Sequence, residues 1–289
     1  THHQGAGKII QSLRMNRNEI HSTLDEESIR LSKSLGQNLL HDQNVLRRIV
    51  KAGELTTEDK VLEIGPGLGA LTEHLLPAVG QLTAIEMDRR LEERLRARYG
   101  DHPHFDLQNQ DALKFFAQPE CDWSDWKLIS NMPYSVASPL LVDLAAMTNS
   151  PCRLVVTLQL EVAQRLCGKP GTKEYSKLTL LVGCRYIVGH MFKISPHCFF
   201  PEPKVNSACL TLDRRTEPLF EDSLYKPFTT VVKRAFSQRR KMMRKNLRGG
   251  WPDEVVDMAM TATGLAAKIR AEKVTLKQFV ELTRKLHDA

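Results

Sequence analysis

The sequence lacks any long hydrophobic run, and this absence is the first bound on its class. No apolar stretch approaches the ~18 residues that a membrane-spanning helix needs. No signal-peptide core follows the polar start, so we expect no export and place the protein in the cytoplasm. With 289 residues, 42% hydrophobic and 26% charged, the chain can bury a large core. We therefore expect one large globular domain with a smaller one beside it.

Cysteine and histidine are present, but they lack the spacing of a metal site. The six cysteines are scattered with no C-x-x-C pair, and the ten histidines show no ligand spacing with cysteines or carboxylates. In a chain of this length, such cysteines fit reduced thiols better than a disulfide framework or a zinc site. We therefore predict no metal ion.

Positive charge is in excess, and it is unevenly placed. The net charge is +7, and residues 216–289 hold 15 Lys and Arg against 9 Asp and Glu, so almost all of the excess lies there. A nearly neutral body with a basic tail indicates a polyanionic partner, of which nucleic acid is the first candidate. Within the tail, residues 233–248 carry eight basic side chains and no acidic one. The alternative interpretation is a solvated basic helical surface.

Composition and periodicity divide the chain into three regions. Residues 1–30 are polar, and we interpret them as a flexible or weakly helical extension. Residues 31–215 alternate strand-like and helix-like patterns, which predicts an α/β domain with a parallel sheet. Residues 216–289 keep only helical spacing, so we predict a small, basic, all-helical C-terminal domain.

Polar side chains mark the ends of four successive predicted strands. They are Glu63, Glu86, Asp111 and Asn131, and the length of one βα unit separates each from the next. Right-handed crossovers bring such strand ends to the same edge of one sheet, where ligands bind. The sequence therefore predicts a shared pocket at this edge. Further strands are predicted at residues 154–158, 178–182 and 208–212.

A glycine loop, Gly65-Pro66-Gly67-Leu68-Gly69, follows the first of these strands. Glycines let a backbone approach a ligand closely and free the N–H groups of the next helix to face it. A carboxylate such as Glu86 suits the two hydroxyls of a ribose, and Asp111 suits an adenine amino group. The pocket therefore fits S-adenosyl-L-methionine. It also fits NAD, because the glycine spacing satisfies the dinucleotide fingerprint.

The stretch Asn131-Met132-Pro133-Tyr134 favours S-adenosyl-L-methionine over NAD. It gathers an amide, a backbone carbonyl and an aromatic ring at a strand end, where Pro133 stops further pairing. The two oxygens can accept both hydrogens of an exocyclic amine while the tyrosine stacks on its ring. A methyltransferase acting on an aminopurine needs this set, whereas a hydride-transfer enzyme has no evident use for it. The alternative is a strand-to-loop turn in which Tyr134 only packs.

Together these motifs resemble the KsgA family of ribosomal RNA adenine dimethyltransferases, over residues 35–247. Leu39 stands where the family usually has Phe, and Met132 where it has Leu, but both keep apolar character, so we expect activity. The residues that carry the resemblance are Gly36-Gln37-Asn38-Leu39-Leu40, 63–69, Glu86, Gln110-Asp111-Ala112, Asn131-Met132-Pro133-Tyr134, Gln159-x-Glu161-Val162-x-x-Arg165-Leu166, Gly171-Thr172-Lys173-x-Tyr175, Phe199-x-Pro201-x-Pro203-Lys204-Val205-x-Ser207 and Phe236-x-Gln238-Arg239-Arg240-Lys241.

The resemblance implies a Rossmann-like class I methyltransferase fold with S-adenosyl-L-methionine as cofactor. It implies dimethylation of two adjacent adenosines near the 3′ end of small-subunit (16S) rRNA, within an assembling 30S particle, and a role in small-subunit biogenesis. The implied cofactor contacts, with Gly67 added from the glycine loop, are Asn38, Leu40, Gly65, Gly67, Glu86, Asp111 and Asn131.

The resemblance also implies how the target base is held. Asn131, Met132, Pro133 and Tyr134 are the implied catalytic residues, with Tyr134 on one face of a flipped base and Phe199 over the other. For Phe199 the alternative is core packing in a proline-rich loop. In the basic tail, the side chains predicted to contact RNA phosphates are Arg239, Arg240, Lys241, Arg244 and Lys245.

Three other functions are compatible with parts of this pattern. A large-subunit rRNA adenine methyltransferase of the macrolide-resistance type would share the catalytic half, although residues 159–175 and the C-terminal half look more like KsgA. An RNA-binding assembly factor would use the same surfaces with catalysis secondary, and a NAD-dependent oxidoreductase would use the glycine loop. We expect a monomer without a protein partner.

Overall fold

A seven-stranded sheet forms the centre of the computed structural model, which describes residues 17–26, 31, 36–118, 121–238 and 240–288. The strands are β1 (Leu39–Leu40), β2 (Lys60–Ile64), β3 (Gln81–Glu86), β4 (Phe105–Asn109), β5 (Trp126–Asn131), β6 (Arg153–Gln159), β7 (Tyr186–Ile194), β8 (Phe199–Phe200) and β9 (Ser207–Arg214). The order in the large sheet is β4-β3-β2-β5-β6-β9-β7. The first five strands of this order are parallel neighbours, and β9 runs antiparallel to both of its neighbours, β6 and β7. This arrangement confirms the predicted α/β, Rossmann-like class.

Helices connect the parallel strands and make up the C-terminal part of the chain. None of those in the described ranges combines the length and apolarity that crossing a bilayer requires. The helices are α1 (Arg17–Glu26), α2 (Gln43–Ala52), α3 (Thr72–Leu75), α4 (Arg89–Tyr99), α5 (Ala112–Phe116), α6 (Tyr134–Ala146), α7 (Leu160–Leu166), α8 (Lys177–Gly183), α9 (Tyr225–Ala235), α10 (Met243–Leu247), α11 (Asp253–Ala262) and α12 (Leu276–His287).

Several helices begin where a side chain can satisfy the first free N–H groups. Asp42 accepts from the N–H groups of Asn44 and Val45 at the start of α2. At the start of α12, Thr275 and Gln278 form a reciprocal capping box. Replacing such a cap by alanine typically costs about 1 kcal/mol, so these residues help to fix where each helix starts.

Alternate side chains of the sheet face two different hydrophobic clusters. In β6, Val155 packs into one cluster with Ile129 and Cys209, while Leu154 and Val156 pack into the other. A third cluster joins the C-terminal helices to one another and also includes residues of α8. The helical C-terminal part therefore has its own core. The boundary at residue 216 stays a prediction.

One predicted strand is wrong and another strand was missed. Residues 178–182 belong to α8, where Ser176 and Thr179 form a capping box and the apolar run is buried on the helix face. A short apolar run fits either periodicity, and here the cap at Ser176 selects the helix. The missed strand is β7, an edge strand whose pairing with β9 shifts register between Val188 and Met191.

One helix of the polar N-terminal extension packs on the fold. Its described part is α1, in which Ile20 is fully buried and Leu24 nearly so. Thr23 Oγ1 accepts a hydrogen bond from Arg94 Nη2 on α4, at 3.2 Å. Residues 1–16 and 27–30 lie outside the described part. The apolar face of α1 thus packs into the hydrophobic core of the α/β region.

Candidate active site

One cavity lies at the carboxyl edge of the parallel strands. The ends of β2, β3 and β5 and the turn after β4 meet there, because the four strands are parallel neighbours. The structure brings together at this cavity every residue predicted to contact the cofactor and four predicted to be catalytic, namely Asn38, Leu40, Gly65, Gly67, Glu86, Asp111, Asn131, Met132, Pro133 and Tyr134.

The glycine loop packs directly against two other parts of the site. Gly65 has φ of 64°, and a Cβ built on it would lie 2.8 Å from Pro133 Cγ. Gly67 has φ of 62°, and its Cβ would lie 2.6 Å from Leu39 Cδ2. Both the conformation and the space therefore require glycine. The loop therefore packs between Pro133 and Leu39, and its residues line the cavity.

Glu86 holds this loop to the end of β3. Its Oε2 accepts from the N–H of Gly67 at 3.2 Å, and its Oε1 accepts from the N–H of Asp88 at 2.8 Å. The side chain is buried, and burial raises its pKa to about 7, against the lowering effect of these backbone bonds. Each carboxylate oxygen can accept a further hydrogen bond. Glu86 is therefore preorganised to accept from paired hydroxyls.

Glu63 is a second buried carboxyl at the cavity. It is 1% exposed, and its Oε2 accepts from Thr72 Oγ1 at 2.7 Å. Burial raises the pKa of Glu63 to about 8, with the nearby Glu86 carboxyl adding to the rise. Glu63 therefore carries a proton at neutral pH. The bond to Thr72 ties the strand end to the first turn of α3.

Asp111 and its neighbours close the side of the cavity next to β4. Asp111 Oδ1 accepts from the N–H of Leu113 at 2.9 Å and so caps α5. Asn109 Nδ2 donates to the carbonyl of Glu86 at 2.9 Å, which fixes this turn to β3. One oxygen of Asp111 thus holds a helix start while the residue lines the cavity.

The amide of Asn131 is held in one orientation at the end of β5. Its Nδ2 donates to the carbonyl oxygen of Asn38 at 2.9 Å, and Asn38 Nδ2 donates in turn to the carbonyl of Gly36 at 3.2 Å. Within the described residues, no hydrogen bond uses Asn131 Oδ1. The arrangement leaves an oriented acceptor at the cavity.

Tyr134 begins α6 directly after Pro133 and is half-buried. Its hydroxyl shares a hydrogen bond with Ser207 Oγ, and the two oxygens are 2.5 Å apart. Burial raises the pKa of Tyr134, while the bond to Ser207 lowers it to a smaller extent. The phenol therefore stays protonated near neutral pH, which suits a ring used for contact rather than as a base.

Phe199 lies in the hydrophobic core. It is 1% exposed, and it packs in the same core cluster as Leu40 and Ile194. The cause is a two-stranded ribbon in which β1 and β8 pair antiparallel and place Leu40 opposite Phe199. Among the described residues, the lining of the cavity does not include Phe199. In this conformation the ring packs in the core, and its contact with a base stays a prediction.

The basic segment is partly neutralised by acidic residues of α11. Arg244 forms a two-pronged ion pair with Asp257, and Arg248 contacts both Asp253 and Asp257. The sequence did not reveal these partners, because they come from the next helix. Arg240, Lys241 and Lys245 are exposed, whereas Arg239 lies outside the described residues. Fewer of the basic side chains in this segment are therefore available to a polyanion than the sequence predicts.

Other residues at the cavity were not predicted as site residues. Met87 follows Glu86 and is 55% exposed, and Ile20 reaches the cavity from α1. Gln37 lies in the motif next to Asn38, and its Nε2 donates to Asp88 Oδ2 at 3.3 Å. The position of Met87 after a strand end could have indicated it, but nothing in the sequence brings α1 to this site. Within the described residues, no group of three His, Cys, Asp or Glu side chains could hold a metal ion.

Comparison with known proteins identifies the family to which this chain belongs. A family model described as ribosomal RNA adenine dimethylase matches residues 29–288. The chain belongs to the ribosomal RNA adenine dimethylase family. The resemblance to KsgA stated from the motifs is thereby confirmed, and the chain is a methyltransferase of this kind.

Relatives of the dimethylase family match most of the chain. A ribosomal RNA small subunit methyltransferase A from Hahella chejuensis is 37% identical over 257 residues, covering 89% of this chain and 93% of the relative. A protein of the same name from Natranaerobius thermophilus is 33% identical over 290 residues, covering 93% of this chain and 96% of the relative. Both matches extend over nearly the whole length of each relative.

Solved structures agree with the fold. A dimethyladenosine transferase from Plasmodium falciparum superimposes with a TM-score of 0.69 at 23% identity, covering 84% of this chain and 95% of that one. The 23S rRNA methyltransferase ErmE superimposes with a TM-score of 0.65 at 27% identity, covering 86% and 100%. The higher identity to the small-subunit enzymes favours that function over the large-subunit alternative.

Proposed function

We propose that this chain is an S-adenosyl-L-methionine-dependent methyltransferase that dimethylates the exocyclic amino groups of two adjacent adenosines near the 3′ end of small-subunit rRNA. The observation that carries the proposal is the Asn131 amide, held by Asn38 so that Oδ1 is presented at the cavity. An acceptor fixed in this way, followed by the carbonyl of Met132 and the ring of Tyr134, suits a planar aminopurine.

The residues present at the cavity fit S-adenosyl-L-methionine. Buried Glu86 would accept from the ribose hydroxyls, Asp111 would accept from the adenine amino group, and the loop of Gly65 and Gly67 leaves the space that a Cβ would fill. Leu40 supplies an apolar wall. When bound, this cofactor supplies a methyl group activated by its sulfonium charge.

The chain acts on the adenosine mainly by orienting it. The lone pair of an exocyclic amine is delocalised into the ring, which makes the nitrogen a poor nucleophile. If Asn131 Oδ1 and the Met132 carbonyl accept its two hydrogens, the nitrogen moves toward tetrahedral geometry and its lone pair is freed. Pro133 fixes the chain between these groups and the ring of Tyr134, which stacks on the flipped base. Positioning and fixed dipoles supply most of the rate. No strong base is needed, because the nitrogen would lose its proton readily once it has received the methyl group.

The rest of the chain serves to bind RNA. The exposed side chains of Arg240, Lys241 and Lys245 are placed to contact phosphates. We assign residues 31–215 to the methyltransferase domain, 216–289 to RNA and ribosome contact, and 1–30 to an extension. The natural substrate is the assembling 30S particle, on which a monomer acts in the cytoplasm.

The test is methylation of small ribosomal subunits that lack these methyl groups. Incubation with labelled S-adenosyl-L-methionine, followed by mapping of the modified bases, should place the label on two adjacent adenosines near the 3′ end. Asn131→Ala is the control and should give no label. In a parallel incubation with large subunits, label there and none on the small subunits would support the macrolide-resistance type instead. Binding of labelled NAD without binding of S-adenosyl-L-methionine would overturn the proposal.

A further inference from the structure

The hydroxyl of Tyr134 forms a hydrogen bond to a strand that is paired on both sides. Its partner, Ser207 Oγ, lies 2.5 Å away and belongs to a residue with no exposed surface. Ser207 is the first residue of β9, and it pairs with Gln159 of β6 on one side and with Ile194 of β7 on the other. Backbone pairing on both sides therefore fixes the position of the Ser207 side chain.

Tyr134 itself is less constrained. It is the first residue of α6, the N-cap residue Pro133 provides no side-chain cap, and the ring is only half-buried beside the cavity. A tyrosine ring at such a position can rotate about two side-chain bonds. The hydrogen bond to Ser207 holds the tip of the ring and leaves its face to the cavity.

We infer that Ser207 is a positioning residue for the target base, because it holds the Tyr134 ring at the angle on which the base stacks. The inference rests on the proposed function. Ser207 is not among the described residues that line the cavity, so it acts only through Tyr134. The two hydroxyls satisfy each other in a buried place, so loss of either one leaves the other without its partner.

This role makes a distinctive prediction for paired substitutions. Ser207→Ala and Tyr134→Phe each remove the same hydrogen bond while keeping the ring. Each should lower kcat/KM for RNA by about tenfold, the effect of losing one buried hydrogen bond. The double variant should lose no more than either single variant, because the bond is already gone.

A matched control separates positioning from simple loss of stability. Thr211 lies on the same strand and is 4% exposed, and its Oγ1 accepts from the N–H of His190 at 2.8 Å. Thr211→Val removes a comparable buried hydrogen bond away from Tyr134. It should lower the thermal unfolding midpoint as Ser207→Ala does, yet keep the wild-type rate at a temperature where both are folded.

Stacking itself can be measured with an RNA that carries 2-aminopurine at the target position, which lacks the reacting 6-amino group. The wild-type chain and Thr211→Val should quench its fluorescence, whereas Ser207→Ala and Tyr134→Phe should quench it less, with unchanged affinity for S-adenosyl-L-methionine. If Ser207→Ala quenches and methylates as the Thr211→Val control does, or if the losses multiply in the double variant, the inference is overturned. A wild-type chain that methylates no RNA would instead overturn the proposed function itself, and the inference with it.

Discussion

The side-chain amide of Asn131 donates from Nδ2 to the carbonyl oxygen of Asn38, 2.9 Å away. A carbonyl oxygen can only accept, so this bond decides which end of the amide faces the cavity. In the proposed mechanism, the acceptor for the target amine is therefore oriented by the backbone of Asn38. It also explains why an amide, rather than a carboxylate, suits this position.

Asn131→Asp tests this relationship. A carboxylate accepts better than an amide, but it cannot donate to Asn38, and it would place its charge against that carbonyl. We expect the methylation rate at saturating cofactor to fall by about a hundredfold or more, as when a preorganised donor or acceptor is lost. Asn44→Asp, on the exposed face of α2, should keep the wild-type rate. Retention of a substantial rate by Asn131→Asp would show that the donor is not needed.

Glu86→Gln should weaken cofactor binding. An amide nitrogen would then face the N–H of Gly67 or of Asp88, both of which now donate to the carboxylate. The loop would lose a hydrogen bond, and the ribose would lose an acceptor. We expect the dissociation constant for S-adenosyl-L-methionine to rise by roughly tenfold or more, measured by calorimetry. The exposed Glu93 offers the control, since Glu93→Gln should leave this constant unchanged.

Glu63 should make the folded state less stable as pH rises. Burial raises its pKa from the ordinary value of 4.5 to about 8, so between these values the folded chain holds a proton that the unfolded chain has released. The free energy of unfolding therefore falls as pH rises through this window, and the loss is complete above it. Glu86 adds a smaller contribution that is complete above about 7.

Glu63→Gln should remove most of this pH dependence, because the amide oxygen can still accept from Thr72 without titrating. The measurement is the thermal unfolding midpoint across the same pH window. Exposed Glu58 provides the matched control, since Glu58→Gln should reproduce the wild-type slope. A Glu63→Gln variant whose midpoint falls as steeply as that of the wild type would contradict the prediction.

The ion pairs of the C-terminal helices divide the basic side chains into two groups. Lys241→Ala and Lys245→Ala should each weaken RNA binding and reduce its salt slope by about 1, since each removes one phosphate contact. Arg244→Ala is the contrasting variant, because its guanidinium is paired with Asp257. It should lower the unfolding midpoint with little effect on the salt slope. Equal slopes for all three variants would remove this surface from the RNA interface.

The sequence predicted the fold and the location of the cavity because both follow from local pattern. Polar residues at parallel strand ends, such as Glu86 and Asn131, necessarily meet at one edge of the sheet. The helix cap at Asp42 is equally local, since its partners lie two and three residues away.

What the sequence did not predict depends on contacts between distant segments. Asn131 donates a hydrogen bond to the carbonyl of Asn38, and Arg244 forms an ion pair with Asp257 of α11. Phe199 is buried because its strand, β8, pairs with β1. The strand predicted at residues 178–182 is wrong because a short apolar run fits both strand and helix periodicity. The capping box at Ser176 favours the helix that the structure shows.

The two-stranded ribbon of β1 and β8 connects the proposed binding sites of the cofactor and the RNA base through the backbone. Leu40 lines the cofactor cavity, while its partner Phe199 begins the segment that leads to Ser207. A shift of β1 on cofactor binding would therefore be transmitted along this segment to Ser207, which holds the hydroxyl of Tyr134. Thermodynamic reciprocity then requires that RNA tighten cofactor binding by the same factor as the cofactor tightens RNA binding. Measurement of both affinities, with and without the other ligand, would give this coupling energy, and two independent affinities would show that the ribbon transmits nothing.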